Sequence, residues 1–226
     1  MQKVLRIGHR GAAGHAPENT LTAIRKGIAL GVNFVEVDVR RTADGVLVVL
    51  HDETVNRTTN GKGRADRMCL RDITKLDAGD GEHIPTLEEV LKVAAGKTGL
   101  ILELKIRGAA QQTVEAVREA GFRDSVIYAS FLHDELQHVR AVDPEASLMV
   151  LFGGLSRASV ARAVKYGSFC AGLRHDKATR VLVDSFHRAG LLVFVYTANA
   201  PSDIQRALSL DVDGVISNFP ERIASQ

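Results

Sequence analysis

The stretch Phe34-Val35-Glu36-Val37-Asp38-Val39 limits the fold of this chain more than any other. β-Branched residues recur at every second position, the period of a β-strand. Alternation sends Val35, Val37 and Val39 to one face and Glu36 and Asp38 to the other. A half-exposed strand with a solvated acidic face is the ordinary explanation. A second stretch argues against it. Leu100-Ile101-Leu102-Glu103-Leu104-Lys105 repeats the arrangement, with Glu103 and Lys105 opposite Leu100, Leu102 and Leu104. Two such strands suggest a parallel barrel with helices over its apolar outer face and charged faces meeting at its mouth. Three carboxylates converging there repel one another unless a cation holds them.

The rest of the chain fits this frame. Val4 to His9 reads as a first strand, followed by a glycine-containing loop up to Thr20. Asn19 or Thr20 is the expected cap of a helix with apolar positions at Leu21, Ile24, Ile28 and Leu30, ended by Gly31. After the acidic strand, Asp44-Gly45 is a turn signal, and Val46 to Leu50 reads as another strand. The connection is too short for a parallel crossover. We therefore expect an antiparallel hairpin, turning near Ala43-Asp44, that returns His51 to the level of Glu36. A parallel third strand is the alternative. Residues 53–85 are irregular and read as a small insertion or lid over the mouth. Thr86 and Glu89 form a capping-box pattern that opens the next helix.

From there strands and helices alternate regularly. Strands are expected at Leu100 to Lys105, Val126 to Phe131, Leu148 to Phe152, Phe169 to Leu173, Leu191 to Thr197 and Gly214 to Asn218. Helices are expected around Thr113 to Arg118, Glu135 to Val142, Ala158 to Tyr166, Arg180 to Arg188 and Ser202 to Leu210, with a short one at Pro220. Without the hairpin arm this makes eight βα units, so the expected fold is an α/β, (β/α)8 TIM barrel forming a single domain over residues 1–226. An open doubly wound sheet is the alternative, but no GxGxxG follows the first strand.

Composition excludes several function classes. The 226 residues are 45% hydrophobic and 25% charged, which is ordinary for a globular protein. With 29 basic against 27 acidic residues and no basic run, nucleic acid is not an expected partner. The two cysteines, Cys69 and Cys170, make neither a disulfide framework nor a CxxC pair. No apolar run reaches membrane-spanning length, and the first strand begins close to Met1. A cytoplasmic protein without stable membrane insertion is expected, and its oligomeric state is left open.

Glu36, Asp38 and Glu103 are hard oxygen donors without cysteine or paired histidine, a set that suits Mg²⁺ or Ca²⁺ better than Zn²⁺. The competing reading is a buried ion network with Arg10, Arg40 and Lys105. His9 and His51 are the acid–base candidates. Histidines 15, 83, 133, 138, 175 and 187 fall in expected loops or helices and are given no role. Arg10 offers a planar fork for phosphate, and Lys105 a point charge. Together these groups fit phosphoester cleavage of an anionic small molecule.

His9-Arg10-Gly11, Pro17-Glu18-Asn19-Thr20, Glu36-Val37-Asp38-Val39, His51-Asp52, Ile84-Pro85-Thr86-Leu87 and Glu103-Leu104-Lys105, in this order, resemble the glycerophosphodiester phosphodiesterase family. The resemblance runs to Gly214-Val215-Ile216-Ser217-Asn218. It implies a metal-dependent barrel enzyme that cleaves glycerophosphodiesters to sn-glycerol 3-phosphate and an alcohol. His9 and His51 would be the catalytic pair, Glu36, Asp38 and Glu103 the metal ligands, and Arg10 a phosphate contact. Tyr196 stands where the family usually has tryptophan, and we take it with Lys105 as a further substrate contact. Asn218 stands where the family usually has aspartate. The nucleophile is either the neighbouring glycerol hydroxyl, giving a cyclic phosphate, or water. Competing functions are a lysophospholipase D-like or C-like enzyme of the same barrel type and a non-catalytic barrel that binds a phosphorylated metabolite.

Overall fold

Period-two apolar runs become strands and period-3.6 runs become helices in the computed structural model, which describes residues 4–156 and 158–223. The strands are β1 (Leu5–Gly8), β2 (Phe34–Arg41), β3 (Leu47–Val49), β4 (Gly99–Leu104), β5 (Val126–Ser130), β6 (Ser147–Phe152), β7 (Cys170–Arg174), β8 (Leu192–Tyr196) and β9 (Gly214–Ser217). The helices are α1 (Leu21–Ala29), α2 (Leu70–Ile73), α3 (Leu87–Ala94), α4 (Ala110–Glu119), α5 (His133–Val142), α6 (Ala158–Lys165), α7 (Arg180–Arg188) and α8 (Pro201–Ser209). Some ends differ from expectation; α4, for example, begins at Ala110 and not near Thr113. Thr20 caps α1 by accepting from Ala23 N, and Thr86 with Glu89 forms the expected capping box on α3.

The sheet order is β1-β9-β8-β7-β6-β5-β4-β2-β3, and a β1–β2 pairing closes the barrel. Every barrel pair is parallel, and only β2–β3 is antiparallel. The protein is therefore a TIM barrel with one extra strand. The hairpin forms as expected: Val39 pairs with Val49 and Arg41 with Leu47. Its turn runs through Ala43-Asp44-Gly45, closed by Thr42 N donating to Val46 O at 2.9 Å. Gly45 has φ +86°, a left-handed value that favours glycine there.

Two apolar layers lie inside and outside the barrel wall. Outside, Val35, Val37, Val39, Leu100, Leu102 and Leu104 pack with helix residues such as Ile24, Leu91 and Val114. Each such side chain contributes about 1.5–3 kcal/mol when fully buried. Inside, Ile7, Ile101, Ile127, Met149, Phe194 and Ile216 fill the floor. On β4 the inward face changes from Ile101 to Glu103 within two residues, and that change marks where floor becomes mouth. Residues 53–85 fold around a third cluster that includes Val55, Ala65, Ile73 and Ile84, packed beneath with Val48 and Leu50. Both cysteines are free, and Cys170 lies in the inner floor. No described helix is long and apolar enough to cross a membrane.

Candidate active site

The mouth is built on an edge of β2 that no strand covers. β1 pairs with β2 only at Ile7–Phe34 and Gly8–Val35, and β3 joins only from Val39 onward. Between them the backbone groups of β2 must find other partners. Gly11 N donates to Glu36 O at 3.2 Å, Leu50 N donates to Asp38 O at 2.9 Å, and Asp38 N donates to Asn19 Oδ1 at 3.4 Å. The segments carrying His9, Arg10 and His51 are thereby sewn onto the strand that carries the carboxylates. Gly11 is required here: it has φ +91°, and a Cβ on it would lie 2.5 Å from the Ala23 backbone of α1. Arg10 at φ +49° and Asn19 at φ +61° also hold left-handed backbone, a strain that persists only where surroundings over-determine it.

Asp38 and Glu103 are register partners across β2 and β4. One oxygen each from Glu36, Asp38 and Glu103 lies within 4.8 Å of the others. At that distance two unit charges repel by about 3 kcal/mol at an effective dielectric of about 20. Burial raises the Glu36 carboxyl well above the usual carboxylate range, and Asp38 and Glu103 add to the rise. Glu103 is raised by burial and then by Asp38. Asp38 is held low: burial opposes this, but Lys105 and Arg10 outweigh it.

The expected ion network exists in part. Lys105 Nζ sits 2.7 Å from Glu103 Oε1 and 3.4 Å from Asp38 Oδ1, and Arg10 Nε sits 3.3 Å from Asp38 Oδ2. Arg40 makes no such pair; its Nε donates to the His51 carbonyl at 2.9 Å. Two cations, one of them shared with Glu18, leave the cluster short of positive charge. Asp38 Oδ1 is buried without a hydrogen-bond partner. An oxygen-only donor set, with one buried oxygen that has Lys105 Nζ 3.4 Å away but no hydrogen bond, fits a divalent cation.

His9 Nδ1 lies 2.6 Å from Asn218 Oδ1, across the β1–β9 pairing, and its Nε2 lies 3.9 Å from Glu36 Oε2. Burial, followed by the charge of Arg10, lowers its pKa to about 4, so the ring is neutral at pH 7. A neutral ring donating from Nδ1 leaves a lone pair on Nε2. His51 Nδ1 lies 2.6 Å from Asp52 Oδ1, which fixes the ring and sets a negative charge behind it. Behind the two runs an ion chain. Arg57 binds Asp52 with Nε at 2.7 Å and Glu18 with both Nη atoms at 2.8 Å, and Glu18 accepts from Arg10 Nη1 at 2.6 Å.

His9, Arg10, Glu36, His51, Glu103, Lys105 and Tyr196 line one cavity of about 220 Å³. Asp38, 1% exposed, lies beneath them. The Tyr196 hydroxyl donates to Phe152 O at 2.7 Å, so only its ring is free for the cavity. The rest of the lining is mostly apolar, with Ala129, Met149, Leu151 and Ile216 from the inner floor and Phe131 beside them. None of the six other histidines lines this cavity. Sequence reasoning passed over Glu18, Asp52, Arg57 and Asn218 as working parts. Glu18 and Asp52 stand inside quoted motifs, and Asn218 was noted for its identity. Arg57 lies in irregular backbone, where no period says which way a side chain points.

Two histidines and a candidate cation site at the C-terminal end of the strands are arranged as in a TIM-barrel enzyme. Comparison with known proteins supplies the family. A profile described as the glycerophosphoryl diester phosphodiesterase family matches residues 9–222, and the chain belongs to that family of phosphoric diester hydrolases. A glycerophosphodiester phosphodiesterase of Caldanaerobacter subterraneus is 34% identical over 98% of this chain and 96% of its own length. The crystal structure of a glycerophosphodiester phosphodiesterase from Agrobacterium tumefaciens aligns with a TM-score of 0.86 at 30% identity, covering 100% of both chains. A phosphodiesterase of Oleispira antarctica, solved with the product sn-glycerol-3-phosphate, aligns with a TM-score of 0.88 at 29% identity over 96% of this chain and 94% of that one.

Proposed function

We propose that this protein hydrolyses glycerophosphodiesters to sn-glycerol 3-phosphate and an alcohol, with Mg²⁺ or Ca²⁺ held by Glu36, Asp38 and Glu103. The observation that carries the reading is the meeting of His9, His51 and the acidic cluster at one cavity. The bound ion supplies positive charge against the phosphate oxygens. Lys105, at the rim, adds a point charge on the same side, and Arg10 reaches the cavity with the part of its fork that Glu18 and Asp38 leave free. The Tyr196 ring forms one wall. The domain reading is that the whole chain works as a single unit, with residues 53–85 as its insertion.

The two histidines divide the proton transfers. His9 is neutral with its Nε2 lone pair free, so it takes the proton of the attacking hydroxyl. Where that hydroxyl belongs to water the diester is hydrolysed directly; where it belongs to glycerol a cyclic phosphate forms that water then opens to glycerol 3-phosphate. His51, backed by the Asp52 carboxylate, delivers its proton to the departing alkoxide. Asp52 and Asn218 each fix one ring through Nδ1, which leaves Nε2 of both for chemistry. The test is direct: purified protein with sn-glycero-3-phosphocholine and either ion should release glycerol 3-phosphate and choline. Absence of both products under either ion would refute the reading.

The apolar lining favours one second reading, a lysophospholipase D-like activity. Phe131 is 42% exposed in that lining and offers an acyl chain apolar surface. Lysophosphatidylcholine assayed beside glycerophosphocholine separates the two.

A further inference from the structure

A second cavity, of about 280 Å³, adjoins the catalytic one, and Lys105 lines both. Its wall carries Arg40, Arg41, Arg64 and Arg107 against two carboxylates, Glu53 and Asp66. Both carboxylates are bound by Arg64, at 2.6 and 2.7 Å. Of the other three, Arg40 and Arg41 have no ion-pair partner among the described residues, and Arg41 donates Nη1 to Gly108 O at 3.1 Å. The nearest carboxylate to Arg107 is Asp134 at 3.8 Å.

Arg40 relates this cavity to the His51 side of the mouth. It follows Glu36 and Asp38 on the inward face of β2, so it stands at the rim above them. Its Nε holds the carbonyl of His51, the residue that protonates the leaving alkoxide. In the proposed mechanism the leaving group departs on the His51 side, and from there the cavity shared through Lys105 is the adjoining space. No aromatic ring lines the cavity, so nothing there cages a quaternary ammonium. The exposed ring at the mouth, Phe131, already has Lys105 Nζ 6.0 Å from its centroid.

We propose that this arginine-lined cavity is a subsite for the leaving alcohol, and that it selects glycerophosphodiesters whose alcohol carries its own negative charge, such as a phosphate monoester. The inference rests on the phosphodiesterase reading of the neighbouring mouth. Guanidinium forks suit a phosphate or carboxylate, and two of them here, Arg40 and Arg41, lack an ion-pair partner among the described residues.

The experiment compares kcat/KM for three esters with the holoenzyme: glycerophosphocholine, glycerophosphoglycerol, and glycerophosphoglycerol bearing a terminal phosphate. The phosphorylated ester should exceed glycerophosphocholine by roughly 10-fold or more, and the ratio should shrink as salt rises from about 0.01 M to about 1 M. The double variant Arg41→Gln/Arg107→Gln should bring the ratio below about 3-fold, since each exposed charge is worth only a few-fold. Using a ratio removes any general loss of active protein. Equal kcat/KM for the choline and phosphorylated esters, or an unchanged ratio in the double variant, overturns the subsite and leaves the catalytic reading standing. Cleavage of none of the three overturns the catalytic reading, and the subsite with it.

Discussion

Arg57 donates Nη1 to one carboxylate oxygen of Glu18 and Nη2 to the other, each at 2.8 Å. The same guanidinium holds Asp52, so a residue from the irregular 53–85 stretch joins the support of Arg10 to the support of His51.

Arg57→Ala should therefore lower kcat by roughly 10–100-fold, the usual cost of misplacing catalytic groups by a fraction of their productive geometry. Arg57→Lys should recover only part of it, because an ammonium cannot span two carboxylates. Steady-state kinetics with a melting curve for each variant checks this. A wild-type kcat in Arg57→Ala would remove the ion chain from the mechanism.

The same chain sets an acid limit on stability. Burial alone would raise the Glu18 carboxyl, but Arg57 and Arg10 outweigh it and hold its pKa at about 2, against 4.5 for the free group. Asp52 is also held low, first by its hydrogen bonds from Arg57. A carboxyl lowered in the folded state stabilises it fully above the unfolded pKa and loses that contribution as pH falls through the folded one. Melting temperature should drop as pH falls from about 5 to about 2, and Arg57→Ala should flatten that slope. Thermal melts across that range measure both.

His9→Ala and His51→Ala should each cut turnover by roughly 10²–10⁴-fold, and the double variant should lose little more than either. A p-nitrophenyl ester, whose phenolate leaves unaided, assigns the roles. The His51 variant should regain much of its rate on it, and the His9 variant should not. The reverse pattern exchanges acid and base; equal recovery makes both residues positioning groups.

Removal of divalent ions with EDTA should abolish activity, and Mg²⁺ or Ca²⁺ should restore it. Asp38→Asn and Glu103→Gln should weaken metal binding, measured calorimetrically without substrate. Full turnover by thoroughly metal-stripped protein would leave the acidic cluster as an ion network only.

The barrel was legible because its signals are local. Val35, Val37 and Val39 alternate with Glu36 and Asp38 whatever the rest of the chain does, and β2 must turn its acids inward once helices cover its valines. Asp44-Gly45 announces the hairpin within a few residues, and the hairpin returns Leu50 to Asp38, with His51 next in the chain on the way to the level of Glu36. The carboxylates, the two histidines, Arg10 and Lys105 were readable for that reason. Closure of the barrel decided the rest. His9 meets Asn218 across 209 residues, and Arg57 meets Glu18 across 39. The first contact exists only because β1 pairs with β9. The second exists because residues 53–85 pack on a small apolar cluster of their own with Val48 and Leu50 of the hairpin. Irregular backbone has no period to aim its side chains, so the direction of Arg57 follows from tertiary packing. So, for a different reason, do the lack of an ion-pair partner at Arg40 and Arg41 and the neutral state of His9, which depend on what other segments bring near them.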